Sequence, residues 1–161
     1  TYHGLDIRIA RIFNTYGSRM RVNDGRAIPA FIGQVLRGES LTVFGDGSQT
    51  RSFCFIDDMV DGIYRLLLSK YTKPINLGNP DEITLIDFAK EIIAMGGTDN
   101  KIVFKPLPAN DPIKRKPDIS KAIKILNWQP LVSRKKGLEN AFKYFKSLSK
   151  EELSKKNNKF E

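Results

Sequence analysis

Apolar and polar positions alternate over Ile7–Phe13, with Ile7, Ile9 and Phe13 on one side and Arg8 and Ala10 on the other. That period predicts a strand in a larger sheet. A second period follows: Ile28, Phe31, Ile32, Val35 and Leu36 fall at helical spacing behind Pro29, and Gly38 closes the element. Leu41–Phe44 and Arg51–Ile56 are short β-prone runs around a loop holding Gly45 and Gly47, and read as a central hairpin. Asp57-Asp58 opens a helix with Met59, Val60, Ile63, Leu66 and Leu67 as its apolar stripe. Pro74–Leu77 is a short strand. Thr84-Leu-Ile-Asp87 resembles a capping box leading a helix with Phe88, Ala89, Ile92 and Ile93 inward, ended by Gly96-Gly97. Lys101–Phe104 is another strand. The polar segment 110–118 is twice broken by proline, after which Asp118 caps a helix carrying Ile119, Ala122, Ile123 and Leu126. Trp128-Gln-Pro130 packs its end, and Ser133 caps a last helix with Leu138, Ala141, Phe142, Phe145 and Leu148 inward. Few strands scattered among helices give an α/β chain, suited to the smaller α+β lobe of a two-lobed enzyme.

At 161 residues, with 40% hydrophobic and 28% charged residues, the chain has the size and composition of one globular domain. No apolar run approaches the ~20 residues of a membrane span, and no signal-peptide pattern opens it. A net charge of +9 suggests nucleic acid until it is divided. Residues 1–100 hold 11 Lys and Arg against 12 Asp and Glu, whereas 101–161 hold 16 against 6. Much of the excess lies in a lysine-rich tail, 149–161, which reads as solvated and frayed beside a folded portion, 1–148. Basic patches interleaved with aromatics are absent. The single cysteine, Cys54, excludes a disulfide within the chain and reads as a buried, inert thiol; no cluster has metal-ligand spacing. The abrupt entry into a strand suggests a piece of a longer protein.

Candidate chemistry gathers at the glycine loop. Phe44 enters it and Arg51 leaves it, a ring able to stack on a base and a planar fork able to grip phosphate. Arg115 supplies a second guanidinium from far downstream. Asn14 follows the first strand, where open α/β sheets bind ligands, though it serves equally as a turn residue. Arg26 precedes a helix start that favours anions, or is simply solvated. The Asp57-Asp58 pair is read as an acidic helix N-terminus rather than a metal or catalytic pair.

At Arg11-Ile-Phe-Asn-Thr-Tyr-Gly17, Asn23-Asp-Gly-Arg26, Leu41-Thr-Val-Phe-Gly-Asp-Gly-Ser-Gln-Thr-Arg51 and Asp111-Pro-Ile-Lys-Arg-Lys-Pro-Asp-Ile119 the chain resembles the extended short-chain dehydrogenase/reductase family. The likeness runs from Tyr2 to about Phe145. It is narrower for the family's decarboxylases of UDP-glucuronate, above all where Arg115-Lys-Pro-Asp-Ile119 opens a helix ending in Asn127-Trp-Gln-Pro130. Ser18 and Asn110 depart from that pattern beside the motifs.

The resemblance implies the carboxyl-terminal half of such an enzyme: the end of a Rossmann-type sheet plus a small α+β substrate-binding lobe. It implies NAD as cofactor, a UDP-sugar (UDP-glucuronate) as substrate, and a cytoplasmic homodimer, with neither nucleic acid nor membrane as partner. By motif, Asn14 would bond the sugar-diphosphate, while Thr15 and Arg26 would lie near the cofactor. Phe44 would stack on uracil, with Thr42 and the backbone near Ile28 and Phe31 at the base edge. Arg51 and Arg115 would clamp the diphosphate from opposite sides, and Arg115 would assist decarboxylation or the protonation after it. The family's glycine-rich NAD loop is absent, and none of Tyr2, Tyr16, Tyr64, Tyr71 and Tyr144 has a lysine four residues on, so this chain alone should be inactive. Three rivals remain open: another nucleotide-sugar 4-epimerase or 4,6-dehydratase, a non-catalytic nucleotide-binding module, and a basic nucleic-acid binder.

Overall fold

The structure, a computed structural model, describes residues 3–108 and 111–154. Asn110 and the end of the lysine-rich tail lie outside the described residues. Strands β1 (Ala10–Ile12) and β6 (Ile75–Leu77) pair in parallel, as do β2 (Thr15–Tyr16) with β5 (Cys54–Phe55), and β3 (Leu41–Phe44) with β8 (Ile102–Lys105). A three-stranded sheet sets β4 (Thr50–Ser52) between antiparallel β7 (Glu82–Thr84) and parallel β9 (Lys114–Arg115). Parallel pairs need crossovers. Helix α1 (Ala27–Arg37) lies between β2 and β3, and α2 (Ile56–Leu68) links β5 to β6. Helices α3 (Leu85–Gly96), α4 (Ser120–Leu126), α5 (Arg134–Lys146) and α6 (Lys150–Ser154) complete the order.

The hairpin expected around Gly45 and Gly47 does not form. The chain does turn there, with Gly47 at φ +78° pressed so close that a Cβ would meet Ile86 at 2.9 Å. But the amides of Leu41 and Gly45 donate to Lys101 and Lys105, and that of Thr50 to Ile113, so β3 and β4 join different sheets. The predicted strand 51–56 likewise divides at Phe53, because β4 and β5 have different partners. Of the predicted strand 7–13 only Ala10–Ile12 is regular.

The helices follow their sequence signals closely. Thr84 Oγ1 accepts from the Asp87 amide at 3.1 Å, and Ser133 Oγ from the Lys136 amide at 3.3 Å, each satisfying a free helix-end donor. Asp118 sits one residue before the N-cap of α4, which is Ile119, and accepts from the Ser120 amide at 2.9 Å. Part of the tail expected to fray is ordered: Leu153 of α6 packs on the core, and Arg37 Nη1 donates to its carbonyl at 2.8 Å.

Two apolar cores result. The larger joins α1, α3 and α5 to β3 through Phe31, Ile32, Leu41, Phe88, Ile92, Leu138 and Phe145. The smaller surrounds Trp128 with Cys54, Met59, Leu66, Ile75 and Leu77. Only two of the five residues expected in the stripe of α2 are buried. Met59 and Leu66 are buried, whereas Val60, Ile63 and Leu67 are 57%, 39% and 63% exposed. The buried face instead carries Asp58 and Gly62, because Trp128 lies against it. Indole Nε1 donates to the Asp58 carbonyl at 2.9 Å, and the Asp58 carboxylate accepts from the Leu131 and Val132 amides, each at 3.0 Å. Asp58 is thus a buried brace, more than an acidic helix start.

A Cβ at Gly62 would meet the Trp128 ring at 2.9 Å and Leu77 at 3.1 Å. Gly62→Ala should therefore destabilise the fold by about 1–3 kcal/mol despite alanine's better helix propensity. Urea denaturation checks this; an unchanged or raised midpoint would contradict the packing.

Candidate functional site

Residues scattered between Asn14 and Arg115 meet at one cavity of about 540 Å³, within the range of small-molecule sites. It is lined by Asn14, Thr15 and Arg26, by Ile28 and Phe31 of α1, by Thr42 and Phe44 of β3, and by Arg51 and Arg115. All nine residues singled out in the sequence line this one space.

The two arginines come together through strand register. Arg51 is the Cα partner of Arg115 in the parallel β4–β9 ladder, so both side chains leave the same face of the sheet. The clamp expected from opposite sides is therefore a pair standing side by side. Alternation sorts the basic triplet. Lys114 and Lys116 reach Glu82 at 3.5 and 3.2 Å on one face, and Arg115 points to the other. Glu82 also accepts from Thr50 Oγ1 at 2.9 Å, which ties β7, β4 and β9 into one unit.

Arg51 is buried, and two bonds fix its guanidinium: Nη2 to Asp111 Oδ1 and Nη1 to the Thr50 carbonyl, both at 2.7 Å. Arg115 is exposed and makes no ion pair among the described residues. The pair thus presents one neutralised fork and one uncompensated charge. Arg26 is held by Asp24, its Nε donating to Oδ2 at 2.7 Å. Asp111 belongs to this site although the sequence reading gave it no role; its place at the head of the Asp111–Ile119 motif was the available signal.

Phe44 stands at the rim, 41% exposed. Thr42, Val43 and Phe44 are consecutive and all line the cavity, which three neighbours in a strand do only when the space faces the strand's edge. Leu41 and Gly45 donate toward β8, so the backbone groups of Thr42 and Phe44 face that open edge. Two glutamines bond it: the Thr42 amide donates to Gln34 Oε1 at 3.2 Å, and buried Gln49 donates to the Phe44 carbonyl at 2.7 Å.

Asn14 is held by its backbone, whose carbonyl accepts from the Cys54 amide at 2.8 Å. Thr15 Oγ1 donates to the Phe13 carbonyl at 2.8 Å. Thr15 and Arg26, expected near a cofactor, both line the cavity. The phosphates of NAD need a cradle of backbone amides, and no glycine-rich loop supplies one, so the residues present do not make an NAD site by themselves. Among the described residues no cluster could hold a metal ion.

The fold is that of part of an NAD-dependent epimerase/dehydratase structure, and residues 1–78 match the NAD dependent epimerase/dehydratase family. The chain is 47% identical over 142 residues to UDP-glucuronic acid decarboxylase 1 of Danio rerio, covering 88% of this chain and 34% of that protein. It is 51% identical over 136 residues to UDP-glucuronic acid decarboxylase 6 of Arabidopsis thaliana, covering 84% and 40%. Among solved structures it resembles UDP-glucuronic acid 4-epimerase from Bacillus cereus in complex with UDP-glucuronic acid and NAD. There the identity is 34% and the TM-score 0.82, over 88% of this chain and 46% of that one. The chain is similar to these two decarboxylases and spans about a third to two fifths of their length.

Cys54 lies directly behind Asn14, and burial, with the nearby Asp58 charge adding to it, pushes its thiol up to about 12. The thiolate is the reactive form, so the folded chain should resist a thiol reagent at pH 8 and react once unfolded in urea. Labelling of the native chain at the rate of a free thiol would contradict this burial.

Proposed function

We propose that this chain is the UDP-sugar-binding portion of a longer NAD-dependent enzyme that converts UDP-glucuronate to UDP-xylose and carbon dioxide. The observation carrying this reading is the cross-strand pairing of Arg51 with Arg115 in the wall of the cavity. Two adjacent guanidiniums, one held in place by Asp111, offer side-by-side N–H donors of the kind that suit the many oxygens of a diphosphate. A charge-assisted bond of this kind contributes ~1.5–3 kcal/mol.

The base is assigned to the open edge of β3. There the Thr42 carbonyl accepts and the Phe44 amide donates, a pair complementary to the imide edge of uracil, whose N–H stands beside a carbonyl. The Phe44 ring covers the base face and contributes ~1–3 kcal/mol. The sugar then extends past the arginines toward Asn14, with Arg115 near the carboxylate that leaves. Binding energy gained at the nucleotide orients the sugar for a reaction whose remaining groups come from elsewhere in the enzyme. This chain alone is inactive in this reading, since it lacks the Tyr-x-x-x-Lys pair and the NAD loop.

The exposed apolar residues Val60, Ile63 and Leu67 along α2 fit the same view, as a face that further protein covers. Decarboxylation is preferred to 4-epimerisation because identity is 47–51% with the two decarboxylases and 34% with the epimerase.

Calorimetric titration with UDP, UDP-glucuronate and dTDP tests the reading. Arg51→Ala and Arg115→Ala should each weaken UDP binding roughly 10- to 100-fold, and Lys150→Ala on α6 should leave it unchanged. Equal effects from all three would leave only diffuse charge.

A further inference from the structure

Gln34 meets β3 with both ends of its amide. Its Oε1 accepts from the Thr42 backbone N–H at 3.2 Å, and its Nε2 donates to Thr42 Oγ1, also at 3.2 Å. The first bond settles the second. A backbone amide only donates, so the end of Gln34 that faces it must be the oxygen, and the other end is the NH₂. An NH₂ in turn only donates, so the Thr42 hydroxyl accepts from it and keeps its own proton for another partner. No described residue takes that proton, and Thr42 lines the cavity.

We propose that Gln34 fixes the Thr42 hydroxyl as a hydrogen-bond donor into the cavity, and so selects a nucleobase that presents a carbonyl there over one that presents an amino group. This rests on the reading above, that the base lies between Phe44 and the open edge of β3. Uracil and cytosine differ in this respect at position 4, an acceptor in the first and a donor in the second. Gln34 itself is a positioning residue, one layer behind the ligand, with Thr42 as the group that makes contact. Misplaced polar groups discriminate strongly at buried sites, because the wrong partner leaves two donors or two acceptors opposed.

The decisive substitution is Gln34→Glu. A carboxylate still accepts from the Thr42 amide but no longer donates to the hydroxyl. The hydroxyl proton turns toward the carboxylate and lone pairs face the cavity. Its added negative charge acts equally on UDP and CDP, which carry the same diphosphate, so the ratio of their affinities isolates the effect. The unaltered chain should prefer UDP, and Gln34→Glu should lower that preference about tenfold. In a Thr42→Val background the same substitution should leave the ratio unchanged, since no hydroxyl remains to turn.

Thr42→Val alone, close in shape to threonine, should also lower the preference, and it decides the matter if Gln34→Glu does not fold. A chain that binds UDP, and loses it with Phe44→Ala, but keeps its UDP/CDP ratio in Gln34→Glu or in Thr42→Val overturns this inference alone. Failure of the unaltered chain to bind UDP, or indifference to Phe44→Ala, overturns the base assignment and this inference together.

Discussion

The site depends on a two-residue parallel pairing. β9 contributes only Lys114 and Arg115, yet its register against β4 sets Arg115 beside Arg51. Two like charges at adjacent positions of a ladder repel, and something must hold them. The two faces of the sheet do this differently. On one, Glu82 gathers Lys114, Lys116 and the Thr50 hydroxyl. On the other, Asp111 neutralises Arg51. Among the described residues, what is left over is the charge of Arg115, at the wall of the cavity. In the proposed reading, a bound diphosphate offsets that charge.

The rest of the fold serves to present that pair to a concave, partly apolar space. α1 and α3 pack Phe31 and Phe88 against each other, and Phe88 stacks on Phe53 with ring centroids 4.7 Å apart. Phe53 follows the three residues of β4, so the larger core grips the chain next to Arg51. The smaller core anchors the other wall. Trp128 and Asp58 lock α2 to the α4–α5 connection, and Cys54, in the same core, bonds the carbonyl of Asn14. Each wall of the cavity therefore has its own apolar support.

Local signals were legible where a residue acts on its own neighbours. Thr84 and Ser133 cap as their sequences suggest, and Gly38 and Gly97 end α1 and α3 in the left-handed conformation. Non-local choices were not legible. Nothing in Leu41–Phe44 says that its partner is Ile102–Lys105 rather than the strand across the glycine turn. Nor does the stripe of α2 show that Trp128, 66 positions beyond Gly62, will claim the face holding Asp58 and Gly62. The nine candidate side chains were found by residue type and motif, and they line one cavity. Their relative placement, side by side rather than opposed, is a property of register, which the motifs do not encode. Asp111, Gln34 and Gln49 were missed because their work is to hold other residues, and a supporting side chain carries no signature apart from the contact it makes.

The central claim is that Arg51 and Arg115 act on one diphosphate. A double-mutant cycle with Arg51→Ala and Arg115→Ala, read by affinity for UDP and for uridine, tests it most directly. The account predicts non-additive losses for UDP, because either arginine alone holds the diphosphate in a different geometry, and little loss for uridine, which lacks the phosphates. Strictly additive losses for UDP, or equal losses for uridine, would mean that the two side chains serve separate ends and that no clamp exists.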